Sequence, residues 1–547
     1  MKKIFKAIAL SLSAICLFSA AGCKKPVDNS ENTIEIFALD AGYGLDWLYA
    51  MEEVFEEKTG YNIEISIQGD AAIEPKIKSG PDVNTTDLFI TGEVWNRYIS
   101  LGDKAVAGYD YILEPLDDVY EYVPEGETLS IGEKMWGSFS SFFEMEVEEN
   151  GEYVNHYYAM PWSAGMGGIF YNQDLFTQAN LSGEPLTTDQ LMEYCQALKD
   201  ANIMPYIYSA TDDYFSYCQY TWWAQYETIK GTENFWNCKV NDNAIPSAAI
   251  SMQIFDQEGI REMFKVFEDM LHPDKNYVYA TVEELDYTTA QARFFAGEAA
   301  MLPCGDWLEN EMRNASSSLD IGNILPMRTP VISALSDKMS YWEESVNFTD
   351  ATRDASFAAK RKEYDEKLRD LVEYADKIIA GETAELPSFA NEADAQIVIA
   401  ARRVCDAPSQ THSMVIPVYA TAKEAAKEFL KFTASDEGIA SYIANTSGSY
   451  LPYLYDLESY AGYDDLSEFS KKKWDILSTS EFVPYISKWP SHYLGGLTIG
   501  RGVARVSIAF GSRDASVRTT ADAAVKANKD YFTLDRMETL LRNAGLI

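Results

Sequence analysis

One aromatic side chain of this sequence is placed where it could stack on a ligand. Trp307 follows a turn at 303–305 and stands in the first turn of a predicted helix. A large ring held rigidly at a helix start offers a flat surface for a ligand ring, although such a ring can equally pack its helix onto the core. Asp306 is the predicted N-cap of this helix, and Glu309 three positions later completes a capping-box-like pattern. We predict that Asp306 and Trp307 belong to a ligand site.

No pattern singles out catalytic residues. The sequence has neither an H-E-x-x-H motif nor a G-x-S-x-G nucleophile elbow, and its four histidines are scattered. The 85 acidic residues supply many chance carboxylate pairs, so a cell-surface glycoside hydrolase is kept as the weaker alternative. We predict a protein that is not an enzyme, with no cofactor and no metal site.

The first elements of the chain predict a second group of site residues. Residues 33–38 alternate as a strand, 46–58 form an amphipathic helix, and 61–67 alternate as another strand. A strand–helix–strand unit gives parallel strands, and open parallel sheets bind ligands in the loops beyond their carboxyl ends. Asp40 and Tyr43 lie in the loop after the first strand, and we predict that both line the ligand site.

Several short motifs occur in an order and spacing that point to one family. The segment around Trp307 reads Phe295-x-Gly297-x-Ala299-Ala300-Met301, then Gly305-x-Trp307. Further motifs are Phe55 with Thr59-Gly60, the L-x-P-L-D segment at 113–117, the strand and helix start at 169–176, and the helix at 421–437. Together they resemble family 1 extracellular solute-binding proteins, the receptors of ABC sugar importers related to maltose-binding protein. The resemblance covers most of residues 33 to 455.

The resemblance implies a fold and further site residues. It implies an α/β, periplasmic-binding-protein-like fold of two lobes, with hinge crossings and a ligand cleft between the lobes. In that family, the Trp at the position of Trp307 lies in the cleft. Further cleft candidates are Glu93 and Trp95 after a strand, Trp162 at a predicted crossing, and Trp222 and Trp223 in a dense aromatic stretch. For Trp95 the alternative is burial in the core, and for Glu93 it is a helix cap. For the dense aromatic stretch, the alternative is one face packed inward beside another that lines the cleft.

Domain boundaries are predicted from the crossings and from the insertion. The Gly-rich stretch 163–168 lacks a phosphate-loop pattern and is interpreted as part of a hinge. The predicted divisions are a signal peptide at 1–22, a tether at 23–32, lobe 1 at 33–160 and 323–435 with a helical insertion at about 328–410, and lobe 2 at 161–322 and 436–547 with C-terminal helices.

The N-terminal residues are predicted to form a signal peptide. Lys2, Lys3 and Lys6 precede an apolar run too short to span a membrane as a mature helix, and small residues precede Cys23. This pattern matches a lipoprotein signal, in which Cys23 would carry the lipid. The alternative is an ordinary secretory signal with a chance cysteine.

Composition excludes some partners. The formal net charge of −40 argues against binding to nucleic acid or to an anionic membrane surface, since both require basic patches. Beyond Cys23, five cysteines remain at irregular spacings, which predicts buried free thiols and no disulfide framework.

These observations predict a receptor. We expect a monomer that is lipid-anchored on the extracellular face of a bacterial cell membrane. It would bind a carbohydrate such as an oligosaccharide and deliver it to an ABC transporter permease. The alternative is a receptor for a non-sugar solute such as a peptide.

Overall fold

The computed structural model describes residues 31–40, 42–92, 111–137, 139–149, 151–315, 321–342, 355–407, 412–484, 505–543 and 546–547. The predicted signal peptide, Cys23, Glu93 and Trp95 lie outside the described residues, so they stay sequence predictions.

The strands are short and mostly buried. They are β1 Thr33–Ala38, β2 Asn62–Ile67, β3 Leu88–Thr91, β4 Glu144–Glu149, β5 Glu152–Tyr157, β6 Met160–Pro161, β7 Gly167–Asn172, β8 Met301–Gly305, β9 Ile324–Pro326, β10 Val404–Asp406, β11 Ser413–Val415 and β12 Glu481–Val483.

The α-helices of the described residues fill most of the remaining chain. They are α1 Asp46–Thr59, α2 Ile73–Lys78, α3 Asp117–Tyr120, α4 Ile131–Lys134, α5 Gln173–Gln178, α6 Thr188–Asp200, α7 Ser216–Trp236, α8 Ala248–Ser251, α9 Glu258–Leu271, α10 Tyr287–Phe295, α11 Leu308–Ala315, α12 Ala355–Ile379, α13 Glu392–Arg403, α14 Lys423–Thr433, α15 Asp436–Asn445, α16 Glu468–Leu477, α17 Val506–Gly511, α18 Ala521–Tyr531 and α19 Leu534–Asn543.

Lobe 1 is built on a sheet with the strand order β2-β1-β3-β11-β6. The predicted strand–helix–strand unit at its start is confirmed, because β1 runs parallel to β2 with α1 between them. β3 is also parallel to β1, whereas β11 is antiparallel to β3. The loops after β1 and β3 therefore leave the sheet at the same edge, which is where a ligand of a parallel sheet is expected.

Lobe 2 is built on a second sheet with the order β12-β10-β7-β8, and β9 pairs with the free stretch of β7. β7 and β8 are antiparallel, with Gly167 opposite Gly305. Asn172 ends β7 and caps α5, since its side chain accepts a hydrogen bond from the Leu175 amide at 3.1 Å. This cap fixes the start of α5 to the end of β7 in the lobe 2 sheet.

The chain passes between the two sheets in several places within the described part. Residues 162–166 connect β6 of lobe 1 with β7 of lobe 2. The segment between β10 and β11 leads back to lobe 1, and the segment from α15 to β12 leads to lobe 2 again. The first of these is the crossing predicted from the Gly-rich stretch.

Two predicted domain boundaries differ from the structure. Residues from 323 onward were expected to return to lobe 1, but β9 pairs with β7, and α12 and α13 pack into the lobe 2 core. Among the described strands that follow β9, β10 still belongs to the lobe 2 sheet and β11 to the lobe 1 sheet. At the other boundary, α15 and its preceding helix pack in the lobe 1 core, so residues 436–445 belong to lobe 1.

The long insertion helix is an added layer of lobe 2. Apolar residues of α12 recur at spacings of 3 and 4, which predicts one buried face, and the helix indeed buries Tyr364, Leu368 and Leu371. Its Arg361 binds Asp189 of α6 through two hydrogen bonds of 2.6 and 2.5 Å. A bidentate arginine–carboxylate pair fixes orientation as well as position, so α12 is held in one place on lobe 2.

The helix α16 contacts both lobes and is called the bridging helix. Its Trp474 packs edge-to-face on Trp136 of the lobe 1 core, with ring centroids 5.2 Å apart. Its Phe469 stacks on Phe170 of lobe 2 at 5.5 Å. The bridging helix therefore lies across the boundary between the lobes.

The predicted state of the cysteines is confirmed for those the structure describes. Cys195, Cys218, Cys238, Cys304 and Cys405 are buried and free. Within the described ranges, no helix combines the length and apolarity needed to cross a membrane.

Candidate functional site

A polar cavity of about 380 Å³ lies between the loop after β1 and helix α11. Lobe 1 contributes Asp40, Tyr43 and Tyr49 to its lining, and lobe 2 contributes Asn310 and Arg313. Its volume is in the range of small-molecule sites, and its place at the carboxyl end of β1 is the one expected for a parallel sheet. The structure thus brings the predicted Asp40 and Tyr43 to the boundary between the lobes.

Trp307 belongs to an aromatic cluster immediately before α11. Its ring makes edge-to-face contacts with Tyr214 at 6.2 Å and with Tyr217 at 6.3 Å between centroids. All three rings are partly exposed. Trp307 also packs against the lobe 1 core, so the aromatic cluster of Trp307, Tyr214 and Tyr217 sits where the two lobes meet.

Two facing glycines make room for this aromatic cluster. Gly167 of β7 and Gly305 of β8 are opposite each other in the lobe 2 sheet. A Cβ atom at Gly167 would come within 2.3 Å of the Tyr217 ring, and one at Gly305 within 2.2 Å of the Trp307 ring. Only glycine allows this close approach of side chain to backbone. The G-x-W spacing is therefore explained by the ring that lies back over the strand end.

Asp306 is buried in a polar group that joins the lobes. It is 1% exposed, and its Oδ1 accepts a hydrogen bond from the Tyr43 hydroxyl at 2.8 Å. Its Oδ2 is 3.4 Å from the Nζ atom of Lys473 on the bridging helix. Burial raises the pKa of the Asp306 carboxyl, and the Lys473 charge opposes that rise. Its predicted local role as an N-cap gives way to these long-range partners.

Trp162 is packed inside lobe 1. It is 1% exposed, and its Nε1 donates to the Thr91 carbonyl at 2.8 Å. Its ring stacks with His412 at 4.6 Å and meets Tyr43 edge-to-face at 6.1 Å. Trp162 thus supports Tyr43 and presents almost no surface of its own.

Trp222 and Trp223 are not brought to the cavity. Both are fully buried in the lobe 2 core, where their ring nitrogens donate to the Pro330 carbonyl at 3.1 Å and to Gln257 Oε1 at 2.9 Å. The aromatic stretch that suggested them contributes Tyr214 and Tyr217 to the aromatic cluster around Trp307 instead. These two tyrosines stand at the start of α7, and their position at a helix start was the signal that sequence reasoning passed over.

The cavity's arginine is already paired. Arg313 donates from Nε and from its terminal nitrogen to Glu309 Oε1, at 3.0 and 2.9 Å. Asn310, which sequence reasoning also missed, donates to Ser449 Oγ at 3.4 Å. Because the Arg313 charge is balanced by Glu309, the lining offers hydrogen bonds without a large excess of positive charge. In the ranges that the structure describes, no cluster of His, Cys, Asp or Glu side chains could hold a metal ion.

Comparison with known proteins agrees with this architecture. The family model for bacterial extracellular solute-binding proteins matches residues 41–320. The chain is 24% identical over 283 residues to a maltotriose-binding protein of Pyrococcus abyssi, covering 51% of this chain and 49% of that one. It is 21% identical over 304 residues to the diacetylchitobiose-binding protein NgcE of Streptomyces coelicolor, covering 53% and 55%. The chain thus spans about half the length of the curated relatives it matches.

A solved structure extends the likeness to nearly the whole fold. The GacH receptor of Streptomyces glaucescens, solved unliganded and with acarbose, superposes with a TM-score of 0.55 at 14% identity. The alignment covers 93% of this chain and 98% of that receptor. At this identity the likeness establishes the fold, and it confirms the predicted two-lobed α/β architecture. The chain belongs to the family of bacterial extracellular solute-binding proteins, which are receptors and not enzymes.

Proposed function

We propose that this protein is a lipid-anchored receptor that captures a carbohydrate between its lobes and delivers it to an ABC transporter permease. The observation that carries the proposal is the aromatic cluster: its partly exposed Trp307 stands at the lobe boundary, on the same segment as Asn310 and Arg313 of the cavity lining. Flat rings next to hydrogen-bonding groups suit a sugar, since sugar rings present C–H groups on their faces and hydroxyl groups at their edges.

The charges of the lining favour an uncharged ligand. Asp40 is exposed on the lobe 1 side, and Arg313 is held by Glu309 on the lobe 2 side. A strongly anionic ligand would have to compete with these carboxylates for one paired arginine. Relatives named for maltotriose and diacetylchitobiose support the same ligand class.

Lobe closure is the proposed mechanism of capture. A ligand in the cavity can contact Asp40 of lobe 1 and Asn310 of lobe 2 at once only when the lobes are together. A ligand that makes its full contacts in one conformation shifts the population toward that conformation. Closure would then be the signal that the permease reads.

The anchor and the location are part of the proposal. Cys23 would carry the lipid and hold the receptor, as a monomer, on the extracellular face of the cell membrane. Membership of an extracellular family supports this location. Replacing Cys23 by Ala should abolish incorporation of radiolabelled palmitate, whereas labelling that persists in this variant would contradict the anchor.

A thermal-shift screen tests the ligand class. The purified protein is heated with a panel that includes maltotriose, diacetylchitobiose and short peptides. A ligand present at a hundredfold excess over its Kd should add about 2.7 kcal/mol to the free energy of unfolding. A shift with a sugar that is recovered unchanged supports the proposal. A shift with peptides alone replaces it by the non-sugar receptor, and cleavage of the sugar would contradict the absence of enzyme activity.

A further inference from the structure

The Tyr43–Asp306 hydrogen bond joins the ligand-site loops of the two lobes. Tyr43 lies in the loop after β1 of lobe 1, and Asp306 follows β8 of lobe 2, 263 positions away in the sequence. The donor and acceptor are 2.8 Å apart. Separation of the lobes would carry these two residues apart and break the bond.

Burial makes this contact costly to leave unsatisfied. Tyr43 is 5% exposed, Asp306 1%, and the Lys473 side chain 1%. A buried carboxylate is stable only with hydrogen-bond and charge partners, and a hydrogen bond to an ionised group is stronger than a neutral one. Burial and the Asp306 charge raise the pKa of Tyr43 well above its ordinary value, so its hydroxyl keeps the proton that it donates.

The chain that joins the lobes is shaped around the same contact. Gly165 lies in the crossing between β6 and β7. A Cβ atom there would come within 2.5 Å of the Tyr43 hydroxyl oxygen and within 2.6 Å of Asp306 Oδ1. Contacts from lobe 1, lobe 2, the crossing and the bridging helix therefore converge on one carboxylate.

We propose that Tyr43, Asp306 and Lys473 form an interlobe latch, which gives the protein a closed population before any ligand is bound. Tyr43 and Asp306 are positioning residues in this scheme, because Asp306 is too deeply buried to be a principal ligand contact. The consequence for affinity rests on the proposed function: apparent affinity scales with the fraction of molecules in the competent conformation. The effect on the ligand-free lobes does not depend on it.

Small-angle X-ray scattering of the purified protein without ligand tests the latch. Tyr43→Phe removes one hydroxyl and keeps the ring, and Tyr194→Phe is the matched control. Tyr194 donates to the Ser182 carbonyl at 2.8 Å, and both residues lie inside lobe 2, outside the crossing. We expect a larger radius of gyration for Tyr43→Phe than for the wild type, and an unchanged value for the control. Loss of a hydrogen bond to a charged group should lower the closed-to-open ratio about tenfold.

Asp306→Asn is a second variant that should increase the open population of the ligand-free protein. It keeps the size of the side chain and removes the charge that faces Lys473, so a folded Asp306→Asn protein should also be more open. Circular dichroism tests whether each variant is folded. If Asp306→Asn does not fold, the result for Tyr43→Phe alone decides. Equal radii of gyration for the wild type and folded Tyr43→Phe would overturn the latch, as would a wild type that is fully open without ligand.

This test is independent of the ligand class. No sugar is added, so an unchanged radius of gyration contradicts the latch and leaves the carbohydrate proposal standing. A failed sugar screen combined with an opened Tyr43→Phe variant would support the latch and contradict the carbohydrate proposal.

Discussion

Trp307 is the side chain on which ligand affinity is expected to depend most. Its ring stands at the lobe boundary, held over Gly305 and against Tyr214 and Tyr217. Trp307→Ala should weaken sugar binding by about 2 kcal/mol, roughly 30-fold, because a rigid aromatic anchor is removed. Isothermal titration with the sugar identified by the thermal-shift screen measures this loss.

A matched aromatic control separates a specific loss from a general one. Tyr153 is 70% exposed on the β4–β5 hairpin, outside the cavity lining. Tyr153→Ala should leave the affinity unchanged. Equal affinities of Trp307→Ala and the wild type would remove Trp307 from the ligand site.

His412 is expected to make stability depend on pH. It stacks on Trp162, and its Nδ1 lies 2.8 Å from the Ser163 hydroxyl. Burial lowers the pKa of His412 from 6.5 to about 4, so between these values the unfolded chain binds a proton that the folded protein excludes. The free energy of unfolding is therefore highest above pH 6.5, where neither state binds this proton. It falls as the pH drops from 6.5 to 4, by about 3 kcal/mol in all.

Urea unfolding at several pH values checks this window. His412→Phe keeps a ring on Trp162 and cannot take up the proton, so its unfolding free energy should fall less than that of the wild type between pH 6.5 and 4. His272, whose side chain is 37% exposed, provides the control variant His272→Gln, which should follow the wild type. Parallel pH profiles of His412→Phe and the wild type would refute the assignment.

Single residues show which predictions local rules can support. Trp307 is predicted at a helix start after a turn at 303–305, but those residues end β8 and the turn lies at 306–307, just before α11. The ring nevertheless lies at the lobe boundary. Asp306 has the local pattern of an N-cap, but its carboxylate accepts from Tyr43, and no local rule reveals a partner 263 positions away. The burial of Trp222 and Trp223 could not be predicted either, because a dense aromatic stretch does not indicate which of its rings face the core.

At the scale of elements, helix α7 is interrupted at Thr228. This residue has φ 68° and ψ 160° inside the span Ser216–Trp236. Its hydroxyl accepts a hydrogen bond from the Gly231 amide at 3.1 Å, so it also caps the second half of the helix. A β-branched residue with positive φ is strained, and the surrounding packing must hold it there.

A pair of substitutions isolates this strain. Thr228→Gly and Thr228→Ala both remove the hydroxyl, but only glycine is free of the steric penalty at positive φ. The glycine variant should be more stable than the alanine variant by about 1 kcal/mol in urea unfolding. In an uninterrupted helix the order is reversed by about the same amount, so a more stable alanine variant would show that α7 is regular at this position.

Pairing between distant strands limited the prediction of elements. The segment from residue 323 and the insertion helix were both assigned to lobe 1, and the spacing of apolar residues agrees with the buried face of α12. Their lobe was assigned wrongly, because β9 pairs with β7 more than a hundred residues earlier. Periodicity identifies an element and its buried face, but the partner of that face is a property of the whole fold.

At the scale of the whole molecule, the lobe boundary is a meeting of segments from most of the chain. This boundary combines the loop after β1, the start of α7, the end of β8 and the bridging helix. The first and third of these were predicted, because each lies beside a recognisable turn. The bridging helix was not, because its function depends on contacts with both lobes and not on any pattern within it.

Gly165 offers a way to hold the lobes apart through a substitution in the crossing itself. An added Cβ atom would be 2.5 Å from the Tyr43 hydroxyl oxygen and 2.6 Å from Asp306 Oδ1, so Gly165→Ala should push these groups apart and open the molecule. We expect a larger radius of gyration in scattering. Sugar affinity should be weaker by about tenfold, because the added methyl group would lower the population of the closed conformation. Gly69→Ala is the matched control, because a Cβ atom at Gly69 meets nothing within 4 Å. If Gly165→Ala has the radius of gyration and affinity of Gly69→Ala, the crossing tolerates the methyl group and the lobes do not depend on this contact.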